Sequence, residues 1–130
     1  MNSKSNKVHF TILGAGTWGI ALGKTLINNN HEVSIWHYKH EYLNCLDQKR
    51  FHKDLNCSIP KKINFISKYE DIDEKSYILI CLPSQKIRRT LSLLKLRNIY
   101  YINASKGIEL KTGKLITTII KEATSANDDT

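Results

Sequence analysis

"ILGAGTWGIALG", residues Ile12 to Gly23, places Gly14, Gly16 and Gly19 within six positions, after the apolar run Val8 to Leu13 and at the head of a helix-like stretch. A dinucleotide seat gives each of these glycines a separate task. Gly14 permits the tight turn out of a strand. Gly16 has no Cβ, so the main chain there can approach a pyrophosphate, whose charge is favoured by the free N–H groups and positive end of the new helix. Gly19 lets that helix lie close to the sheet, with Ala21 and Gly23 keeping the same side small. Glycine-rich turns are common, so the surroundings matter more than the spacing. Here a strand precedes, an amphipathic helix follows, and a second apolar strand ends about 20 residues further on, where such sites hold the adenosine ribose.

Working outward, short apolar runs alternate with longer amphipathic ones, the rhythm of parallel strands covered by helices on both faces. The first strand is Val8 to Leu13, and the helix after the glycines spans Thr17 to Asn29 with Trp18, Leu22 and Leu26 on one face. Asparagines 28 to 30 make a turn into a second strand, Glu32 to Trp36, and a polar helix follows from His40 to Arg50. Phe51 to Lys62 has no clear period and reads as a loop, leading to a brief strand at Ile63 to Ile66. Tyr77 to Leu82 is the clearest buried strand; Pro83 stops it, and Ser84 caps a helix that turns Ile87, Leu91 and Leu94 inward. A strand at Ile99 to Ile102 precedes a last helix from near Thr112, with Leu115, Ile116, Ile119, Ile120 and Ala123 inside. The expectation is an α/β fold, a Rossmann-like doubly wound parallel sheet in a single domain over residues 8–124, with a disordered start at 1–7 and a polar tail at 125–130.

The bulk numbers agree with one soluble domain. The chain has 130 residues, 41% hydrophobic and 25% charged, unlike a disordered or collagen-like sequence. Its net charge of +8 is spread from Lys4 to Lys121, and dense pairs such as Lys61-Lys62 and Arg88-Arg89 are without interleaved aromatics. That is a solvated surface, not a base-stacking stripe, so no nucleic-acid partner is expected. Three cysteines, Cys45, Cys57 and Cys81, show no metal or disulfide spacing, which suits a reducing cytoplasm and no bound metal. The polar start "MNSKSNKVHF" lacks the apolar core of a signal peptide, and no run is long enough to enter a membrane.

The second strand ends in "WHYKH", where an NAD site normally carries an acid for the ribose hydroxyls. None occurs before Glu41. His37, Tyr38, Lys39 and His40 offer instead an aromatic surface for adenine and donors or cations for a 2′-phosphate, which favours NADPH, with NADH as the other candidate.

Together "GAGTWGIALG", "HEVSIW", "CLPSQKIRRTL", "ASKGIE" and "TGKL" resemble the bacterial NAD(P)-dependent glycerol-3-phosphate dehydrogenases, from Val8 to about Glu122. The resemblance implies reduction of dihydroxyacetone phosphate to sn-glycerol 3-phosphate for phospholipid synthesis, with hydride taken from NAD(P)H. It implies that Thr17, Trp18 and Tyr38 touch the dinucleotide, with Lys39 a weaker candidate, and that Pro83 and Ser84 lie beside the nicotinamide half. Lys106 is implied to meet both cofactor and substrate. The residues agree, since Lys106 follows a strand at its carboxyl end, the edge where open α/β sheets bind ligands, and an ammonium there attracts a phosphate or polarises a carbonyl.

The sequence also departs from the family pattern. Asn30 stands where glycine is usual before "HEV", a mild change because asparagine accepts positive φ. "LNCSIP" replaces the usual Leu-Pro-Gly, so cofactor contacts from that loop are not carried over. Cys81 reads as a small core residue, not a nucleophile. The family's helical second domain, with its catalytic lysine, has no counterpart up to Thr130, and no proton donor can be assigned here. The expectation is a cofactor-binding portion, truncated or one part of a split enzyme, completed by a partner chain or homo-oligomer. The alternative is a non-catalytic dinucleotide-binding or redox-sensing module.

Overall fold

Five short strands pair side by side, all parallel. The computed structural model describes residues 6–96 and 98–124. In chain order it contains β1 (His9–Leu13), α1 (Thr17–Asn28), β2 (Glu32–Trp36), α2 (His40–Lys49), β3 (Phe51–His52), β4 (Cys57–Ser58) and β5 (Asn64–Ile66). There follow β6 (Tyr77–Ile80), α3 (Ser84–Leu94), β7 (Tyr101–Asn103) and α4 (Ile116–Thr124). The main sheet has the order β5-β2-β1-β6-β7. The chain runs outward from β1 through β2 to β5, then crosses back to β6 and β7, so a crevice opens at the carboxyl ends of β1 and β6 where the direction of winding changes.

Side-chain alternation along the strands feeds two cores. Ile12, Val33, Ile35 and Leu79 face α1 and α2, packing on Ile20, Leu43 and Leu46. Leu13, Trp36, Ile78 and Ile80 face the other way, toward Ile87 and Leu91 of α3 and Ile116, Ile119 and Ile120 of α4. β6, an interior strand of the sheet, therefore reads as an unbroken apolar run, whereas β1 carries the buried Thr11, whose hydroxyl is paired with that of Ser76 at 2.7 Å. Asn30 adopts φ +64°, and the Asn30 and His31 N–H groups donate to Ile27 O and Leu26 O, closing α1 and aiming the chain into β2.

Several boundaries differ from expectation, each for a local reason. The segment Phe51 to Lys62 is not all loop: Phe51 and His52 pair antiparallel with Ser58 and Cys57, two-residue strands too short to show a period. α3 is not capped by the Ser84 side chain; Pro83 occupies the N-cap without a side-chain hydrogen bond, and the Ser84 hydroxyl accepts from Gln85 Nε2 at 2.9 Å. α4 starts at Ile116 instead of near Thr112, because Gly113 at φ +70° donates to Glu109 O and the Thr112 hydroxyl donates to the Glu109 carboxylate. Leu115 consequently lies outside the core, 62% exposed. In α1 the buried face is Gly19, Ile20 and Gly23; Trp18 points away from it, while Leu22 and Leu26 pack at its margin and Ala21 is only half-buried. The expectations for a disordered start and a polar tail fall mainly on residues 1–5 and 125–130, outside the described residues.

Candidate functional site

The crevice is a cleft of about 950 Å³, a size suited to an organic ligand. One wall is the glycine turn. Gly14 N–H donates to Trp36 O at 2.9 Å and Cys81 N–H to Leu13 O at 2.9 Å, tying the turn to both neighbouring strands. Gly14 has φ +113°, and a Cβ there would stand 2.4 Å from Cys81 O. A Cβ on Gly19 would stand 2.0 Å from Gly14 O. Both positions thus need glycine for the fold alone.

Gly16 differs. Its backbone, φ −77° and ψ −173°, suits any residue, and a Cβ there would meet nothing within 4 Å. It is the N-cap of α1, whose first turn has neither a side-chain cap nor an acidic residue. The N–H groups of that turn have no intrahelical acceptors, and they carry the positive end of the helix dipole into the cleft.

The opposite wall is held by side chains. After β7, Ala104 N–H donates to Ile80 O, and the Ser105 hydroxyl donates to Leu82 O at 2.7 Å. Gln85 of α3 donates to Ile108 O and accepts Leu110 N–H, gripping the loop by its main chain on both sides of Glu109. Arg88 donates from Nε to Glu109 Oε2 at 2.8 Å and from Nη2 to Oε1 at 3.0 Å, and pairs with Glu122 of α4 at 2.8 Å. Hydrogen bonds from Arg88 and then Thr112 hold the Glu109 carboxyl down to about 2. Lys106, exposed at the cleft rim, sits on this clamped loop, and Gly107 beside it takes φ +104°. Across the mouth, Trp18 Nε1–H donates to Ala104 O at 3.1 Å, joining the two walls.

Three cations, Lys86, Arg89 and Lys106, line the cleft, with no carboxylate among its described lining residues. Such a field favours an anionic ligand. At the β2 end, His37 stacks on Tyr38 with ring centres 4.8 Å apart, and its Nδ1 accepts Lys39 N–H. Burial lowers the His37 pKa, so near neutrality this ring is a polar aromatic surface and not a cation. Burial pushes the Cys81 thiol up to about 12, leaving it protonated and unreactive at the cleft floor.

Residues 9–130 match the family model for the N-terminus of NAD-dependent glycerol-3-phosphate dehydrogenase. This chain belongs to that family. It is 32% identical over 117 residues to the glycerol-3-phosphate dehydrogenase [NAD(P)+] of Phytoplasma mali, covering 86% of this chain and 34% of that protein. The Bacillus mycoides enzyme of the same name is 34% identical over 118 residues, covering 86% and 35%. The chain thus spans about a third of the length of these relatives. The crystal structure of glycerol-3-phosphate dehydrogenase from Coxiella burnetii superposes with a TM-score of 0.82 at 21% identity, over 92% of this chain and 38% of that one, a likeness of fold.

Within this domain the structure gathers Gly14, Gly16, Thr17, Trp18, Tyr38, Pro83, Ser84 and Lys106 around one cleft. Gly19 lies beneath the turn. Lys39 is not among the lining residues; its ammonium sits 5.6 Å from the centre of the Tyr38 ring. Trp36, Tyr69, Lys86, Arg89 and Leu93 also line the cleft and were not expected there. The last three recur at helical spacing along α3, a signal that the positions of the cleft-facing side could have supplied. Among the described residues, no group of three or more His, Cys, Asp or Glu could hold a metal ion, and no helix is long and apolar enough to cross a membrane.

Proposed function

We propose that this chain seats NAD(P)H as the cofactor-binding portion of a glycerol-3-phosphate dehydrogenase that reduces dihydroxyacetone phosphate to sn-glycerol 3-phosphate for phospholipid synthesis in the cytoplasm. The observation that carries this reading is Gly16: the fold makes no demand for glycine there, whereas a diphosphate lying on the first turn of α1 does. Gly14 and Gly19 shape the turn, Thr17 and Trp18 flank it, and Tyr38 offers its ring to the adenosine end. The bound nicotinamide supplies a hydride. Pro83 and Ser84 border its half of the cleft, and Lys106, without an acidic partner among the described residues, attracts the substrate phosphate or polarises its carbonyl.

No residue of this chain is assigned as proton donor; that role falls to the part of such dehydrogenases that this chain does not span. The exposed apolar side chains Tyr100, Ile102, Leu110 and Leu115 suit burial against the rest of such an enzyme, whether carried by a partner chain or reached in a homo-oligomer. The absence of an acid at the β2 end, with Lys39 beside Tyr38 and Arg89 on the wall, supports NADPH over NADH.

The test is thermal stabilisation of the 130-residue chain by each dinucleotide. NADPH raises the midpoint with the concentration dependence of mass action, and NADH does so less. Lys39→Glu weakens NADPH more than NADH. A chain indifferent to both coenzymes would overturn the reading, and equal losses in the variant would overturn the NADPH preference.

A further inference from the structure

The glycine turn has a support behind it that never reaches the cleft. Tyr42, on α2, donates from its hydroxyl to Ala15 O at 2.9 Å, and the same phenolic oxygen lies 3.3 Å from His52 Nε2. His52, on β3, is 3% exposed, and its Nδ1 accepts Leu55 N–H at 3.3 Å. A neutral imidazole whose Nδ1 accepts carries its proton on Nε2, so Nε2–H donates to the Tyr42 oxygen and the hydroxyl hydrogen is left for Ala15. The bonds therefore run one way, from Leu55 N–H through ring and hydroxyl to the Ala15 carbonyl. Burial raises the Tyr42 pKa and keeps the hydroxyl a donor, while the His37 ring packs on the tyrosine at 4.9 Å and limits its swing.

The Ala15 carbonyl belongs to the same peptide unit as the Gly16 N–H. That unit is planar and trans, so its C=O and N–H point in opposite directions. Holding the oxygen toward α2 turns the Gly16 N–H away from α2, and no acceptor for it is found among the described residues. A carbonyl that accepts a hydrogen bond also polarises its own N–H into a better donor. At a residue without a Cβ the peptide plane is otherwise the freest in the turn.

We propose that Tyr42 and His52 are positioning residues of the seat: they lock the Ala15–Gly16 peptide so that the Gly16 N–H is presented to a ligand's diphosphate. This rests on the dinucleotide reading above. Neither residue lines the cleft, so neither touches the ligand. The inference also assigns a task to the β3–β4 hairpin, the segment whose sequence departs from the family pattern. The hairpin delivers His52 to the back of the turn.

The test measures affinity of the full 130-residue chain for ADP and for adenosine, which shares the base and ribose but has no phosphate. Tyr42→Phe keeps the ring and removes only the donor; ADP binding weakens about five- to tenfold, the scale of one hydrogen bond, while adenosine binding stays unchanged. In the ligand-free protein the Gly16 amide resonance shifts. His52→Leu gives a smaller loss with the same selectivity for ADP, and it tests the idea independently should the tyrosine variant not fold. His52→Gln, which retains an N–H near the Nε2 position, restores parental affinity. Equal loss for both ligands would mark the pair as merely structural, and an unaltered ADP affinity in Tyr42→Phe would likewise overturn the proposal. If the parent chain fails to bind ADP at all, the dinucleotide reading itself falls, and this inference with it.

Discussion

The two walls of the cleft are built by opposite means. The turn from Gly14 to Gly19 is shaped mainly by its own main chain and by side chains that are missing, with the Tyr42 hydroxyl behind it on Ala15 O, whereas the Lys106 loop is held by side chains that reach it from α3. Contacts of the first kind are set by backbone atoms with nowhere to move. Contacts of the second kind are several and separable. The first wall should therefore fail all at once and the second clamp by clamp.

The largest effect follows from Gly19. In Gly19→Ala the new methyl would lie 2.0 Å from Gly14 O, a backbone atom fixed by β1 and the turn. Helix and strand must part, at a cost of about 3 kcal/mol, a large fraction of the stability of a small domain. Urea unfolding reads this as a marked fall in midpoint. A variant as stable as its parent would show the turn to be far more pliant than the main-chain contacts imply.

Gly16→Ala sharpens the contrast inside the same wall. Here the methyl enters open space, and the backbone already has an ordinary φ. Reduced chain entropy in the unfolded state opposes the poorer N-cap preference of alanine, so stability stays within about 1 kcal/mol of the parent. NADPH affinity falls by about tenfold or more, since the methyl occupies the approach of the diphosphate. Two alanines three residues apart thus separate folding from binding. If Gly16→Ala bound coenzyme as tightly as the parent, Gly16 would lose its claim on the ligand.

The same contrast governs how much could be read from the sequence. The glycine turn was legible because its constraints act over a few residues: a strand, a positive φ, and two absent methyls that fit one spacing. The Asn30 turn was legible likewise, since asparagine tolerates the left-handed backbone found there. The Lys106 wall was not. Lys106 was singled out, but Gln85, Arg88 and Glu109 hold its loop through contacts more than 20 residues apart in sequence, for which no local period exists. Trp18 misled for a related reason. The helical pattern set it on one face with Leu22 and Leu26, yet the helix packs through Gly19 and Gly23, and the indole bridges to Ala104 at the cleft. Arg89 and Tyr69 became cleft residues only when α3 docked across from β2, a tertiary event.

The smallest effect tests the second wall by acid. Glu109 has its pKa depressed to about 2, from 4.5, by hydrogen bonds from Arg88 and Thr112 and by the charges of Arg88 and Lys114; Glu122, which shares Arg88, is lowered too, first by Lys114. A depressed carboxylate contributes stability that is fully present above the unfolded value and is lost as pH falls through the folded one. The loop from 105 to 115 should therefore loosen between pH 4.5 and about 2, seen as rising amide exchange there. No carboxylate is hydrogen-bonded to the glycine turn, whose side-chain support is the Tyr42 hydroxyl on Ala15 O, so it should hold its protection further into acid. Glu109→Gln removes most of this acid step, and Arg88→Leu loosens the loop already at neutral pH. Loosening of both walls at one pH, in parent and Glu109→Gln alike, would mean that the clamp does not govern the loop, and that the cleft opens only when the whole domain unfolds.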